Sequence, residues 1–129
     1  MKALLDTHSW LWWLTAPERI GSRAHELIAD AENDILFSIA STWKIAINYS
    51  LGKLALPSAP DALIPSQLQK DGFTSLHVEH RHALRVCVLE HHHADPFDRI
   101  LIAQAQCEDV PILTSDPTFS LYDVEVIWA

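Results

Sequence analysis

The sequence predicts an α/β fold in which helices cover both faces of a central, mostly parallel sheet. Short apolar runs of strand length alternate along the chain with longer segments of helical periodicity. Two of these runs, at residues 3–5 and 111–114, are followed closely by an aspartate. The chain has 129 residues, 49% of them hydrophobic. This composition supports one sizeable core, so residues 1–129 are expected to form a single domain.

The N-terminal third predicts one strand and two helices. Residues 3–5 read as a buried strand with Asp6 at its carboxyl end, and residues 8–14 read as a helix that stops before Pro17. Ser22 is the expected N-cap of a second helix. The three tryptophans of the first helix favour core or interface packing over stacking on nucleic acid: Trp10, Trp12 and Trp13.

The middle of the chain predicts a strand at residues 35–38 and a helix at residues 39–51. One face of that helix is apolar, and another carries a polar stripe made of Ser41, Lys44 and Asn48. Gly52 ends the helix. A loop is expected at residues 56–60 and a further helix at 61–70. Pro65 leaves it open whether the first half of that segment is helical.

The C-terminal half predicts three strands and two helices. The strands are expected at residues 74–76, 111–116 and 124–127, and a helix is expected from Glu79 to about Cys87. The second helix begins at Asp95, a good N-cap, with Pro96 at the first helical position. Asp98 then lies near the positive end of the helix dipole. The residues after Asp98 are apolar almost all round, which indicates a core helix.

Three aspartates are predicted to meet at one edge of the sheet. Ligands of open parallel sheets bind beyond the carboxyl ends of the strands, where Asp6 and Asp116 should lie and which Asp98 can reach. Each also has a plain structural interpretation: Asp6 and Asp95 as helix caps, Asp98 as a dipole partner, and Asp116 as a turn residue. Oxygen ligands alone suit Mg²⁺ or Mn²⁺, which can polarise a phosphoryl oxygen and activate water.

Charge and composition exclude several classes of protein. The net charge of −8 argues against a broad basic surface for nucleic acid, although contact through a metal stays compatible with it. Cys87 and Cys107 lack metal-type spacing and are expected to be buried free thiols in a reducing compartment. No apolar run approaches the roughly 20 residues of a membrane span. A cytoplasmic protein without membrane contact is therefore expected.

At these residues the chain resembles PIN-domain proteins, and closely the VapC-like toxin components of VapBC toxin–antitoxin pairs. The resemblance extends nearly end to end. The stretches that carry it are Leu4-Leu5-Asp6-Thr7-His8 with Leu11-Trp12-Trp13-Leu14, Ser41-Thr42-Trp43-Lys44-Ile45-Ala46-Ile47 with Leu51-Gly52-Lys53-Leu54, residues 95–105, and Thr114-Ser115-Asp116-Pro117 with Phe119.

The resemblance implies a three-layer α/β/α PIN domain that cleaves RNA with Mg²⁺ or Mn²⁺. It also implies a cognate antitoxin and a homodimer. By this resemblance, Asp6, Asp98 and Asp116 are the catalytic and metal-binding residues. Thr7 and Ser115 lie beside them and could orient ligands or phosphate. The tryptophan-rich first helix and residues 51–56 are the expected antitoxin groove, with core packing as the alternative.

Lys44 departs from the family pattern, which usually has glutamate directly after the helix tryptophan. An ammonium and a divalent cation about 4 Å apart repel by roughly 8 kcal/mol at an effective dielectric of about 20. Lys44 could instead turn its head away, or neutralise the aspartates and replace the metal. The hypothesis is weak metal binding and impaired nuclease activity. The alternative is a catalytically inactive PIN-fold module that binds antitoxin or RNA. A phosphatase or receiver-like domain matches poorly.

The remaining polar residues near the expected site have open roles. His91, His92 and His93 favour a solvated loop at the mouth of the site, with contact to RNA phosphate when protonated, over a transition-metal site. Arg99 and Lys53 could meet RNA or pair with carboxylates.

Overall fold

Five short strands form one parallel sheet, and six helices cover it on both faces. A computed structural model describes residues 1–129. The strands are β1 (Lys2–Leu5), β2 (Asp34–Ser38), β3 (Thr74–Leu76), β4 (Ile112–Thr114) and β5 (Val126–Trp128). The helices are α1 (Thr7–Thr15), α2 (Ser22–Ala29), α3 (Ile39–Ser50), α4 (Pro60–Asp71), α5 (His80–Arg85) and α6 (Pro96–Glu108). Short 3₁₀ helices lie at Pro17–Arg19, Val86–Val88 and Pro117–Leu121.

The strand order is β3-β2-β1-β4-β5, and every neighbouring pair is parallel. The chain therefore places β1 at the centre, with β2 on one side and β4 on the other. Leu5 pairs in register with Phe37 of β2 and with Leu113 of β4. The segments that follow these three central strands consequently leave the sheet at the same edge.

Alternate residues of the strands face two separate hydrophobic cores, as expected for a sheet that is buried on both sides. Leu5 and Phe37 belong to a core that also contains Trp10 of α1 and residues of α2, α3 and α4. Leu4 and Ile112 belong to the other core, which α6 dominates. The resulting three layers confirm the predicted α/β/α architecture, and the sheet is wholly rather than mostly parallel.

The start of α6 follows the prediction closely. The Asp95 carboxylate accepts a hydrogen bond from the backbone N–H of Phe97 at 2.8 Å, and Pro96 occupies the first turn. Five consecutive residues from Leu101 to Ala105 are buried. They include Gln104, whose amide reaches the backbone carbonyl of His77 at 3.3 Å. The helix therefore packs into the core and fixes the direction in which its first turn points.

Several local expectations are wrong. Ser22 is the first residue of α2, and the cap position belongs to Gly21, which has no side chain to cap with. The cysteines are free, but Cys87 is exposed because the 3₁₀ turn Val86–Val88 lies at the surface, and Cys107, near the end of α6, is only half-buried. The helix expected at residues 61–70 is present, and Pro65 lies inside it, so the first half that the sequence left open is helical.

The apolar face of α3 is not a core face. Trp43 is 64% exposed and Leu51 is 61% exposed, whereas the buried residues of α3 are Ala40, Ser41 and Ile45. Helical periodicity indicates that apolar residues share one face of a helix, but it does not indicate which element, if any, packs against that face. Here Phe97 of α6 contacts the Trp43 ring, yet most of the Trp43 side chain stays exposed.

Candidate active site

A pocket of about 620 Å³ lies at the edge of the sheet where β1 and β4 end. It combines most of the residues that the sequence singled out: Asp6, Thr7, Lys44, Asp98, Ser115 and Asp116. Asp95 is the exception, because its carboxylate lies beside the pocket and reaches it through Lys44. Three carboxylates that are far apart in sequence therefore share one cavity: the strand order brings Asp6 and Asp116 together, and the first turn of α6 adds Asp98.

Asp6 is fixed at the bottom of the pocket directly after β1. Its Oδ1 accepts a hydrogen bond from the backbone N–H of Ser9 at 2.8 Å, and its Oδ2 accepts one from the Thr114 hydroxyl at 2.6 Å. Burial raises the pKa of this carboxyl above its usual value, although both hydrogen bonds oppose the change. The helix-cap interpretation is thus met, and the same side chain lines the pocket.

Asp98 lies in the first turn of α6 and faces the same cavity. Burial is the main reason that its pKa is raised, and the positive charge of Lys44 is the main opposing influence. Two of the three aspartates are therefore held in surroundings that disfavour their negative charge.

Asp116 follows β4 and differs from the other two. Its Oδ1 accepts a hydrogen bond from the backbone N–H of Thr118 at 2.9 Å, and its Oδ2 lies 3.0 Å from Nε2 of His93. Burial alone would raise the pKa of Asp116, but hydrogen bonds from His93 and Thr118 lower it below the usual value. The turn interpretation is also met, because Asp116 caps the 3₁₀ helix Pro117–Leu121.

Lys44 lines the pocket and donates to Oδ2 of Asp95 at 2.6 Å. The head group has therefore turned to a partner at the rim, which is one of the two alternatives that the sequence left open. Burial works to raise the pKa of Asp95, yet hydrogen bonds from Lys44 and from the Phe97 N–H lower it. Lys44 still acts on Asp98, so the ion pair weakens the positive charge at the pocket without removing it.

Thr7 and Ser115 both lie at the cavity, but Thr7 is already engaged. Its hydroxyl lies 2.7 Å from the buried hydroxyl of Ser41, which ties the start of α1 to α3. The polar stripe of α3 therefore divides between two roles: Ser41 holds α1, while Lys44 and Asn48 line the pocket.

The donor set fits a hard divalent cation, with one exception. The three aspartates supply only oxygen ligands, and burial raises the pKa values of Asp6 and Asp98, so a bound cation would favour their charged forms. Lys44 is the exception, because its charge opposes a cation in the same cavity. The aspartate oxygens do not all lie within 4.8 Å of one another. The three carboxylates are therefore spread around the cavity and are not gathered at one point.

Two expectations about neighbouring basic residues are wrong. His93 is not part of a solvated loop, because its side chain is only 9% exposed and contacts Asp116. Arg99 meets neither RNA nor a carboxylate. Its buried guanidinium donates to the backbone carbonyls of Glu90 at 2.7 Å and Val86 at 3.2 Å. No local pattern distinguishes His93 from His91 and His92, so only the fold could identify it.

A second acidic cluster, made of Glu79, His82 and Glu108, is partly neutralised by Arg81. Arg81 donates to both glutamates, at 3.2 Å and 2.7 Å. The Nδ1 of His82 accepts the backbone N–H of Glu79 at 3.0 Å, so the proton of the neutral ring sits on Nε2 and faces Glu108 at 3.4 Å. This cluster therefore ties α5 to α6 and offers no free ring nitrogen to a metal.

The fold and the pocket define a class of protein. A family model described as the PIN domain matches residues 3–125, and the chain belongs to that family. Ribonuclease VapC16 of Mycobacterium tuberculosis is 43% identical over 56 residues, which is 43% of this chain. The aligned region spans only 40% of that relative's length.

Solved structures share the fold along the whole chain. VapBC2 from Rickettsia felis, bound to a DNA fragment from its promoter, has a TM-score of 0.75 at 13% identity and covers 99% of this chain and 98% of its own. DNA-bound VapBC from Salmonella typhimurium has a TM-score of 0.75 at 12% identity with the same coverage. These identities show the fold alone. No helix here has the length and apolar character needed to cross a membrane.

Proposed function

We propose that this chain is a metal-dependent endoribonuclease, the toxin of a type II toxin–antitoxin pair, acting on RNA in the cytoplasm. The observation that carries the proposal is the shared pocket of Asp6, Asp98 and Asp116 at the carboxyl edge of the sheet. The ribonuclease name of the 43% identical relative supports the reaction, and the VapBC neighbours support an antitoxin as partner.

Each aspartate would hold Mg²⁺ or Mn²⁺ from a rigid support. Asp6 is immobilised by two hydrogen bonds, Asp98 by the first turn of a buried helix, and Asp116 by His93 and Thr118. A bound divalent ion supplies Lewis-acid polarisation of the phosphodiester and a more acidic water. The rigid carboxylates supply the orientation, and Thr7 and Ser115 border the place where a phosphate would enter.

Lys44 makes the activity of this chain lower than that of a protein with a neutral or acidic residue at this position. Its ammonium acts on the same cavity as the proposed cation, and the Asp95 ion pair offsets only part of its charge. The same observation favours a second candidate function, a PIN-fold module that binds antitoxin or RNA without cleaving it.

Cleavage of a mixed RNA pool in Mn²⁺ separates the two candidates. We expect weak cleavage by the unaltered chain, stronger cleavage by Lys44→Glu, and loss of that gain in Lys44→Glu with Asp6→Asn. Lys70→Glu, an exposed lysine of α4, makes the same change of charge away from the pocket and should leave cleavage unchanged. If none of the four proteins cleaves RNA, although circular dichroism shows each to be folded, the result would support the binding module.

The partners are proposed from two apolar surfaces. Residues of α1 and of the segment after α3 pack against the core beside the pocket, and we assign the antitoxin to this rim: Leu11, Trp12, Leu54 and Leu56. A separate apolar groove of about 750 Å³ lies between α3, α5 and α6 and contains Trp43 and Phe97. We assign this groove to the second copy of a homodimer, because exposed apolar patches of this kind mark protein contacts.

A further inference from the structure

Asp116 is connected to His93 and, through it, to Tyr122, two residues outside the proposed set of metal ligands. Nε2 of His93 lies 3.0 Å from Oδ2 of Asp116, and Nδ1 of the same ring lies 3.1 Å from the Tyr122 hydroxyl. That hydroxyl also accepts the backbone N–H groups of His92 at 3.2 Å and His93 at 2.9 Å. The three side chains form one line from the loop before α6 to the carboxylate.

The hydrogen-bond donors and acceptors of this line fix the position of each proton. The two backbone N–H groups occupy both lone pairs of the Tyr122 oxygen, so its own proton must point to Nδ1 of His93. Nδ1 is then an acceptor, and the neutral ring carries its proton on Nε2. That N–H can only donate to Asp116, so the imidazole has one tautomer and one orientation.

The loop that carries His93 has little freedom to move. Tyr122 holds the backbone at His92 and His93, while the buried guanidinium of Arg99 holds the carbonyls of Glu90 and Leu89 a few residues earlier. The His93 ring also stacks on Tyr122 with an interplanar angle of 9°. Because these contacts hold the His93 ring in place, the Asp116 carboxylate takes the orientation in which it can accept the hydrogen bond from that ring.

We propose that Tyr122 and His93 are positioning residues that fix the direction in which the Asp116 carboxylate faces the pocket, an inference that rests on the proposed function. A carboxylate has about four lone-pair sites. His93 and Thr118 use one on each oxygen of Asp116, which leaves a site on each oxygen for a divalent cation. Bonds of this kind to a metal ligand are typically worth 10- to 100-fold in metal affinity.

The electrostatics of the pocket agree with this role. Asp116 is the aspartate whose pKa is lowered, whereas burial raises the pKa values of Asp6 and Asp98. The difference lies in the partners, because His93 and Thr118 are the donors that favour the charged form of Asp116. The same two donors therefore orient the Asp116 carboxylate and favour its charged form.

The test measures Mn²⁺ binding by titration calorimetry in the Lys44→Glu background, in which binding is expected to be tighter. His93→Ala should weaken binding about tenfold or more, and His93→Gln should bind within about threefold of the parent because its amide can donate from the place of Nε2. Tyr122→Phe keeps the ring but loses the hydroxyl, and it should also weaken binding. Tyr49→Phe, at a half-exposed tyrosine of α3, is the matched control and should change nothing.

A second readout uses the unaltered chain without metal. Nitrogen-15 correlation spectra of His93 should show one protonated nitrogen, Nε2. Tyr122→Phe should keep this tautomer, because the Asp116 carboxylate can only accept, but should shift the Nδ1 resonance by removing the hydroxyl that donates to it. This measurement supports or overturns the proposal even if His93→Ala does not fold. An Nδ1-protonated ring in the unaltered chain would contradict the proposed line of donors.

Asp116→Asn separates failure of this inference from failure of the proposed function. If Asp116→Asn weakens Mn²⁺ binding tenfold while His93→Ala and Tyr122→Phe bind like the parent, the positioning role is refuted and the metal site stands. If Asp116→Asn itself has no effect, the proposed metal site is refuted, and the positioning role with it.

Discussion

Lys44 is the residue whose replacement tests the proposed site most directly. Its ammonium lines the pocket of the three aspartates, and its bond to Asp95 leaves the side chain 26% exposed. The perturbation is a charge series at this one position, with Lys44→Met removing the charge and Lys44→Glu reversing it. The measured quantity is the dissociation constant for Mn²⁺ at low ionic strength.

The expected magnitude follows from Coulomb's law at an assumed separation of about 8 Å between the Lys44 ammonium and the cation. A unit charge and a divalent ion at that distance interact by about 1 kcal/mol in a dielectric of 80. The high dielectric is appropriate because the ammonium is partly exposed and paired with Asp95. Lys44→Met should therefore tighten binding about sixfold, and Lys44→Glu about thirtyfold.

Titration calorimetry of the three proteins checks these numbers, and repetition in 1 M salt tests their electrostatic origin. The differences should shrink in high salt, because screening then acts within about 3 Å. A gain in Lys44→Glu far above thirtyfold that survives salt would mean that the new carboxylate is itself a ligand. Equal affinities for all three proteins at low salt would refute the placement of Lys44 beside the cation.

Four further outcomes are expected. Asp98→Asn should raise the melting temperature of the metal-free protein at neutral pH, measured by calorimetry, because the raised pKa of Asp98 means that stability is lost as pH rises through that pKa. Asp6 and Asp98 must both ionise to bind Mn²⁺, and their pKa values are raised. On acidification, the Mn²⁺ affinity should therefore fall at a higher pH than it would for carboxylates of ordinary pKa, which binding titrations at a series of pH values check. Arg99→Met should cost about 3 kcal/mol in urea unfolding because it leaves buried carbonyls without a donor, and a loss below about 1 kcal/mol would contradict the role assigned to Arg99. Trp43→Glu should convert a dimer to a monomer in light scattering, whereas an unchanged mass would assign the groove elsewhere.

The sequence alone supported most of the fold, because its strong signals are local. Short apolar runs, helix caps and a proline at a first helical position depend on residues close together in the chain. Asp95 and Pro96 thus began α6 as predicted, and the aspartates after β1 and β4 indicated one edge of a parallel sheet. The error at Ser22 is a one-residue shift of the helix start, whereas the exposure of Cys87 depends on which elements pack against it, which the local sequence does not include.

The tertiary structure decided which polar groups meet and what they do to one another. The sequence named Lys44 as an unexpected charge, but only the fold shows that Asp95, fifty-one residues away, holds it. The sequence treated His91, His92 and His93 alike, and only the fold brings His93 between Tyr122 and Asp116. The physical reason is that hydrogen bonds and charges act over a few ångströms of space, and chain folding sets those distances independently of separation along the sequence.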